Sequence, residues 1–253
     1  MKGEYLDNKF TLIWSFRNRV DVLKESIRTA DETCPKEVDF CLVDASSDDD
    51  TIKDLRKFCN EINGRVVRIC ESTYRSSLSE AWNLGMMLTK NRYVIFASSD
   101  TIFKKSGWYQ DLYEAIVNGN GEYVLVENHA LFGFDKKVIS KMGWFDEEFV
   151  IGPHFDVDFM IRASENGIDV KCIANEGYYI HGEDDDTQAR IDGDVEDRLP
   201  MHEDINDKIL KEKWETDWPG WIHVGDGHRL HPPTNISQVT RKKPEIDPHP
   251  IYT

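Results

Sequence analysis

Apolar positions in the first hundred residues fall into short dense runs separated by stretches with helical spacing. Residues 10–16 are almost continuously apolar, as in a strand buried on both faces, and Val20, Leu23 and Ile27 then recur at helical intervals. The same alternation predicts strands at 39–43, 65–70 and 93–97, with helices at about 49–62 and 77–89 between them. Further on it predicts a helix at 108–118, a strand at 123–127, short mixed elements, a helix at 156–166 and a strand at 170–174, leading into Tyr178, Tyr179, Ile180 and His181. Strands alternating with helices of this length imply right-handed crossovers, hence an α/β domain with a mainly parallel central sheet flanked by helices. Such sheets bind ligands beyond the carboxyl ends of their strands, which directs attention to residues 17–19, 44–50 and 98–101.

The pattern changes after His181. Acids dominate residues 182–207 and apolar residues thin out, as in a solvated flap. Ile205, Ile209, Leu210 and Trp214 then share one face of a short amphipathic helix expected to dock back on the domain. Residues 231–253 are rich in proline and polar residues and read as an extended tail. The expected organisation is therefore one domain over 1–185 and an appendage over 186–253.

Composition narrows the function. A chain of 253 residues with 40% apolar content can bury one substantial core. No apolar run approaches the ~18 to 20 residues that cross a bilayer, and residues 1–8 lack a basic region followed by an apolar stretch. The five cysteines are odd in number and have no C-x-x-C spacing, so a reducing, cytoplasmic setting is expected. A net charge of -16 disfavours nucleic acid and anionic lipid as partners. It would also repel an anionic substrate unless a divalent cation intervened, so hard oxygen ligands and a histidine are the residues to seek.

Four ordered stretches carry candidate chemistry: S-F-R-N-R at 15–19; V-D-A-S-S-D-D-D-T at 43–51; A-W-N-L-G at 81–85 followed by Y-V-I-F-A-S-S-D at 93–100; and G-W-F-D-E-E-F at 143–149 followed by F-D-V-D-F at 155–159, with His181 beyond. Together they resemble family 2-like glycosyltransferases of the GT-A nucleotide-sugar-binding fold. The first loop is also similar to the β-1,4-galactosyltransferase group. The resemblance implies an inverting, metal-dependent transfer of a sugar from a nucleotide-diphosphate donor, with a UDP-sugar favoured, to a hydroxyl of a carbohydrate or glycoconjugate acceptor.

The resemblance also assigns roles. Asp44 would accept hydrogen bonds from a nucleobase or ribose, with Phe16, Arg17 and Arg19 facing the nucleotide. Arginine suits this because its planar fork stacks on a base or grips a diphosphate. Ser98-Ser99-Asp100 stands where the family carries Asp-x-Asp, so Asp100 and His181 would hold Mn2+ or Mg2+ while Ser98 replaces the first acid and keeps a ribose contact. Asp156 would be the catalytic base, and Asp158 and Trp144 would contact the acceptor. Each position also has a plainer reading: Asp44 as a loop carboxylate, the arginines as surface ion pairs, Asp100 as a turn cap, His181 as a structural histidine and Asp156 as a helix N-cap. Asp184, Asp185 and Asp186 read as a solvated loop, and Trp218 and Trp221 as packing residues. Two other functions compete. A sugar-1-phosphate nucleotidyltransferase would need a glycine-rich loop after the first strand, and residues 15–20 contain no glycine. A non-catalytic binding module gains weight from Ser98 and from Phe155, which stands where the family usually has an acid.

Overall fold

The computed structural model describes residues 6–62, 64–71, 77–119, 121–149, 154–181 and 199–214. The strands are β1 (Leu6–Phe16), β2 (Asp39–Asp44), β3 (Val67–Glu71), β4 (Asn91–Ala97), β5 (Thr101–Phe103), β6 (Tyr123–Val126), β7 (Asn128–Asp135), β8 (Val170–Ile173) and β9 (Tyr179–His181). Seven of them form one sheet in the order β3-β2-β1-β4-β7-β6-β8, and β5 pairs with β9 in a separate ribbon. The pairs β1·β2, β1·β4, β2·β3 and β6·β8 are parallel, whereas β7 runs antiparallel to both β4 and β6.

The apolar runs of β1, β2 and β4 are continuous because both faces of these strands are covered. Phe10, Leu12, Trp14 and Phe16 point to one core with Phe40, Leu42, Tyr93 and Ile95, while Ile13, Cys41, Val43, Val94 and Phe96 point to the other. Helices α1 (Val20–Thr33), α2 (Asp49–Cys59) and α4 (Trp108–Tyr113) cover the first face through Leu23, Ile27, Leu55, Trp108 and Leu112. Helices α3 (Leu78–Leu88), α6 (Phe155–Glu165) and α7 (Leu199–Trp214), with the short α5 (Ile139–Met142), cover the second through Trp82, Met86, Met142, Phe159, Leu210 and Trp214. Each large side chain so buried contributes about 1.5–3 kcal/mol. Helix α3 lies close on the sheet because residue 85 is glycine: a Cβ there would stand 2.6 Å from Ile13 Cγ2.

Several elements depart from the sequence expectation. The expected helix over 108–118 is α4 followed by a π-helical turn at Glu114–Asn118. The mixed region after residue 127 contains β7, a full strand inside the sheet. Its sequence NHALFGFD has weak strand propensity, yet Gly133 is required there, since a Cβ would meet Val94 O at 2.8 Å. Helix α7 docks as expected through Leu210 and Trp214 with Ile209 packed beside them, while Ile205 is 41% exposed and Asn206 is buried instead; the helix starts at Leu199, so residues 199–207 are helical where a solvated flap was expected. The acids at 184–186, the boundary at 185/186, Trp218, Trp221 and the tail at 231–253 lie outside the described residues. Among the described residues no helix is long and apolar enough to cross a membrane.

Candidate functional site

The carboxyl ends of β1, β2 and β4 converge, and the register places Phe16 beside Asp44 and Trp14 beside both Leu42 and Ala97. The loops that follow are stitched together. The Asn18 N–H donates to Ser47 Oγ at 2.7 Å, the Asp48 N–H donates to Asn18 Oδ1 at 3.3 Å, and the Ala45 N–H donates to Phe16 O at 2.8 Å. To make this approach the backbone takes left-handed conformations at Asn18, Arg19 and Ser46 (φ 52°, 49° and 71°), which cost non-glycine residues energy and persist only where the surroundings enforce them.

Asp44 is only 2% exposed, and its two oxygens share one donor, the Ser47 N–H, at 2.9 and 3.1 Å. It does not cap α2; Asp48 does, accepting from the Thr51 N–H at 2.8 Å. A buried carboxylate with lone pairs to spare can accept from a ligand. Arg17 contributes a complementary group, since its Nε is buried without a hydrogen-bond partner among the described residues. No side chain caps the start of α1, which begins from this same loop.

Asp100 is set by two neighbouring elements. The Ser98 N–H and Thr101 Oγ1 donate to Ala130 O on β7 at 2.9 and 3.0 Å, and the Thr101 N–H closes a turn onto Ser98 O at 3.0 Å. From the other side, Trp14 Nε1 donates to Ser26 Oγ and Ser26 Oγ donates to Thr101 O at 2.6 Å, tying α1 to the loop. The β5·β9 ribbon pairs Thr101 with His181 and so brings His181 Nε2 to 3.2 Å from Asp100 Oδ1. Burial raises the Asp100 carboxyl, but the hydrogen bond and charge of His181, the backbone and the charge of Arg19 outweigh it and hold the group below the ordinary carboxylate value. An oxygen and a nitrogen donor thus converge, and this fits a hard divalent cation completed by water and a ligand's phosphates. Among the described residues no group of three or more acids, histidines or cysteines forms a complete metal cage.

Asp156 lies in the first turn of α6, whose N-cap is His154 in a left-handed conformation (φ 84°), so Asp156 is not the cap. Its Oδ1 accepts from the Val157 N–H at 2.9 Å, and its Oδ2 stands 3.3 Å from His129 Nδ1. His129 directly precedes Ala130, the residue that holds the Asp100 loop. The antiparallel β7 therefore carries the connection between the two acids. Phe155 turns into the core against Trp82 and Phe145, with ring centroids 5.1 and 6.2 Å away. The G-W-F-D-E-E-F segment is clamped to α3 by Asn83, which donates to Phe145 O and Glu147 Oε1 and accepts from the Phe145 N–H.

Asp158 corrects the expectation of an acceptor contact. It is 0% exposed, accepts from Arg162 Nε at 2.8 Å and Trp214 Nε1 at 2.9 Å, and pairs with Lys213 at 2.9 Å. Trp144 is half-buried on the same side, and its carbonyl accepts from Arg162 Nη1 at 2.7 Å. The structure thus brings Arg17, Arg19, Asp44, Asp100 and His181 to one edge and links Asp156 to it through β7. Asp158 instead joins α6 to α7. His129, Tyr123, Ser26 and Asn83 escaped the sequence reading. For Asn83 a signal existed, since a polar residue recurs on an otherwise apolar helical face.

Residues 11–155 match the family model described as glycosyl transferase family 2. Among solved structures, the chain is similar to a mannosyltransferase from Pyrobaculum calidifontis, PcManGT, in complex with GDP-Man and Mn2+. The identity is 14% and the TM-score 0.59, covering 67% of this chain and 58% of that one. It is also similar to S. aureus TarS at 16% identity and TM-score 0.58, covering 68% of this chain and 36% of TarS. The 1-349 fragment of TarS in complex with UDP-GlcNAc aligns at 16% identity and TM-score 0.58, covering 68% and 57% of the two chains. The chain therefore spans less than two thirds of each of these proteins, and at such identity the likeness speaks to the fold alone. No curated protein matches the chain.

Proposed function

This chain belongs to glycosyl transferase family 2, and from that premise we propose that it is an inverting, divalent-cation-dependent enzyme moving a sugar from a nucleotide-diphosphate donor, a UDP-sugar, to a hydroxyl of a carbohydrate or glycoconjugate. The observation that carries this reading is the convergence of Asp100 and His181, on the β5·β9 ribbon, beside the loops that hold Asp44 and Arg19. A nucleotide-binding edge and a hard-ligand pair then lie together at the carboxyl ends of the parallel strands.

Asp44 accepts from the base or ribose, and Arg17 and Arg19 meet the diphosphate, offsetting the repulsion expected from a chain of net charge -16. Asp100 and His181 would hold Mn2+ or Mg2+, which when bound supplies neutralisation of the charge that builds on the leaving diphosphate. Asp156 takes the proton of the acceptor hydroxyl. The acceptor oxygen bonds to the anomeric carbon as the bond from that carbon to the diphosphate oxygen breaks, and the electron pair leaves with the nucleoside diphosphate. Inversion follows from a single base acting opposite the leaving group. Asp158, the other acid in the first turn of α6, is spent on Arg162 and Trp214 and is not positioned as a nucleophile. The free cysteines, three of them buried, fit a cytoplasmic location.

Calorimetry of nucleoside-diphosphate binding with manganese, magnesium or chelator tests the reading. Binding is expected to need the cation and to be lost in Asp100→Ala. Equal affinity in chelator would remove the cation from the mechanism. Ser98 and Phe155 favour a non-catalytic binder instead, and such a protein would bind the donor but neither transfer nor hydrolyse it.

A further inference from the structure

Behind Asp156 lies a buried pair of side chains to which the transfer chemistry assigns no task. Tyr123 on β6 is 0% exposed and His129 on β7 is 9% exposed, and Tyr123 Oη stands 2.5 Å from His129 Nε2. The imidazole is wedged edge-on against Phe132, with ring centroids 5.2 Å apart, and its other nitrogen faces Asp156.

We propose that His129, locked by Tyr123, is a positioning residue that presents an Nδ1–H to the Asp156 carboxylate and holds it aligned and ionised for the acceptor hydroxyl. The proposal rests on the reading of Asp156 as the base.

A neutral imidazole has one donor nitrogen and one acceptor nitrogen, so two arrangements exist. If Nε2 carried the proton, the Nδ1 lone pair would face a carboxylate oxygen at 3.3 Å and the Tyr123 hydroxyl proton would lose its acceptor. If Tyr123 donates to Nε2, the proton sits on Nδ1 and meets Asp156 Oδ2, and all three groups are satisfied. The charged states agree. Burial, with the charge of Asp156 adding to it and that of Arg162 opposing it, pushes the Tyr123 phenol well above its ordinary value, so it keeps its proton. Burial lowers His129 while the charge of Asp156 partly restores it, so the ring is neutral near pH 7. The facing charged and titratable groups are Asp156 and Arg162 from α6 and Tyr123 from β6. At 3.3 Å the Nδ1 contact is close but not an aligned hydrogen bond, and Nδ1 has no other partner among the described residues. Oδ1 is held separately by the Val157 N–H, so Oδ2 is the oxygen left for Nδ1. Each oxygen then keeps a lone pair for the substrate.

Two measurements on the full chain test this. Long-range 1H–15N NMR should find His129, identified by its loss in His129→Asn, neutral with Nδ1 protonated, and Asp156→Asn should lower its pKa. An Nε2–H tautomer, or a His129 indifferent to Asp156→Asn, would overturn the proposal, and this arm needs no enzymatic turnover. In the kinetic arm, His129→Leu should lower kcat at least about tenfold, part of the 10² to 10⁴ of a positioned base, with donor KM unchanged. It should also move the acid limb of the pH profile upward, because the ionised carboxylate loses a donor. His129→Asn, which keeps an N–H near the Nδ1 position, should recover most of both. If the leucine variant does not fold, His129→Asn and Tyr123→Phe supply the comparison, with Tyr123→Phe expected between wild type and the leucine effect. Unchanged kcat and pH limb in variants of an active wild type would refute the role of His129. A wild type inactive with every donor would instead refute the proposed function.

Discussion

At the scale of residues, Asp100, partly buried, and Asp156, buried, are two acids with different company. His181 and the field of Arg19 stabilise the charge of Asp100, whereas among the described residues Asp156 has a backbone N–H and an imidazole beside it. The first suits a permanent anion. Asp156→Asn should therefore retain donor binding and stability, since the helix cap is His154, while transfer falls by roughly 10² to 10⁴. Steady-state kinetics beside nucleotide calorimetry checks this, and wild-type kcat in the variant would pass the role to another group. Asp44→Asn leaves one oxygen for the Ser47 N–H and removes the charge, so nucleotide affinity should fall without loss of fold. Unaltered affinity would make Asp44 purely structural. Asp44 and Asp100 drew attention because they follow apolar runs read as strands and His181 because it follows Tyr178, Tyr179 and Ile180, whereas Asp156 drew it through the F-D-V-D-F motif at a helix start. Asp158 was misread because two residues along a helix turn it by roughly 200°, to the opposite face from Asp156. His129 was hidden in a strand whose pattern did not announce itself.

Among elements, β7 and α7 decide how the site is held. Strand β7 runs against β4, and this direction alone sets Ala130 under the Asp100 loop and His129 behind Asp156. Its histidine, glycine and asparagine obscure the alternation from which strands are read, and the need for Gly133 becomes visible only when Val94 is packed beside it. Helix α7 is fastened by Trp214 Nε1 and Lys213 to Asp158, and by Lys213 to Asp146. Burial raises the Asp158 carboxyl, but Arg162 and Lys213 together hold it below its ordinary value. A carboxylate depressed in the folded state stabilises the protein fully above its unfolded pKa of about 3.9, and the contribution is lost as pH falls through the folded value. Breaking this buried pair in Asp158→Asn should cost about 3–5 kcal/mol at pH 7. Urea unfolding of both proteins should find the gap narrowing in acid below about pH 4, and a gap that stays constant there would contradict the assignment.

For the whole molecule, the alternation of apolar runs and helical spacings was enough to read a mainly parallel sheet, because strands covered on both faces leave a signal that no surface residue can imitate. The order of strands across the sheet was not legible, since pairing between β4 and β7 depends on residues more than thirty apart. The resulting architecture gathers Asp44, Arg17, Arg19, Asp100 and His181 at one edge of a strongly acidic chain, and the account stands on that edge being a nucleotide-sugar site. Incubation of the full chain with manganese and a panel of nucleotide sugars, with release of free nucleoside diphosphate as the readout, tests it most directly. One donor, a UDP-sugar, should be consumed slowly in water and faster with an acceptor, and chelator should stop both. Binding without release from any donor, or release that persists undiminished in Asp100→Ala, would contradict the account.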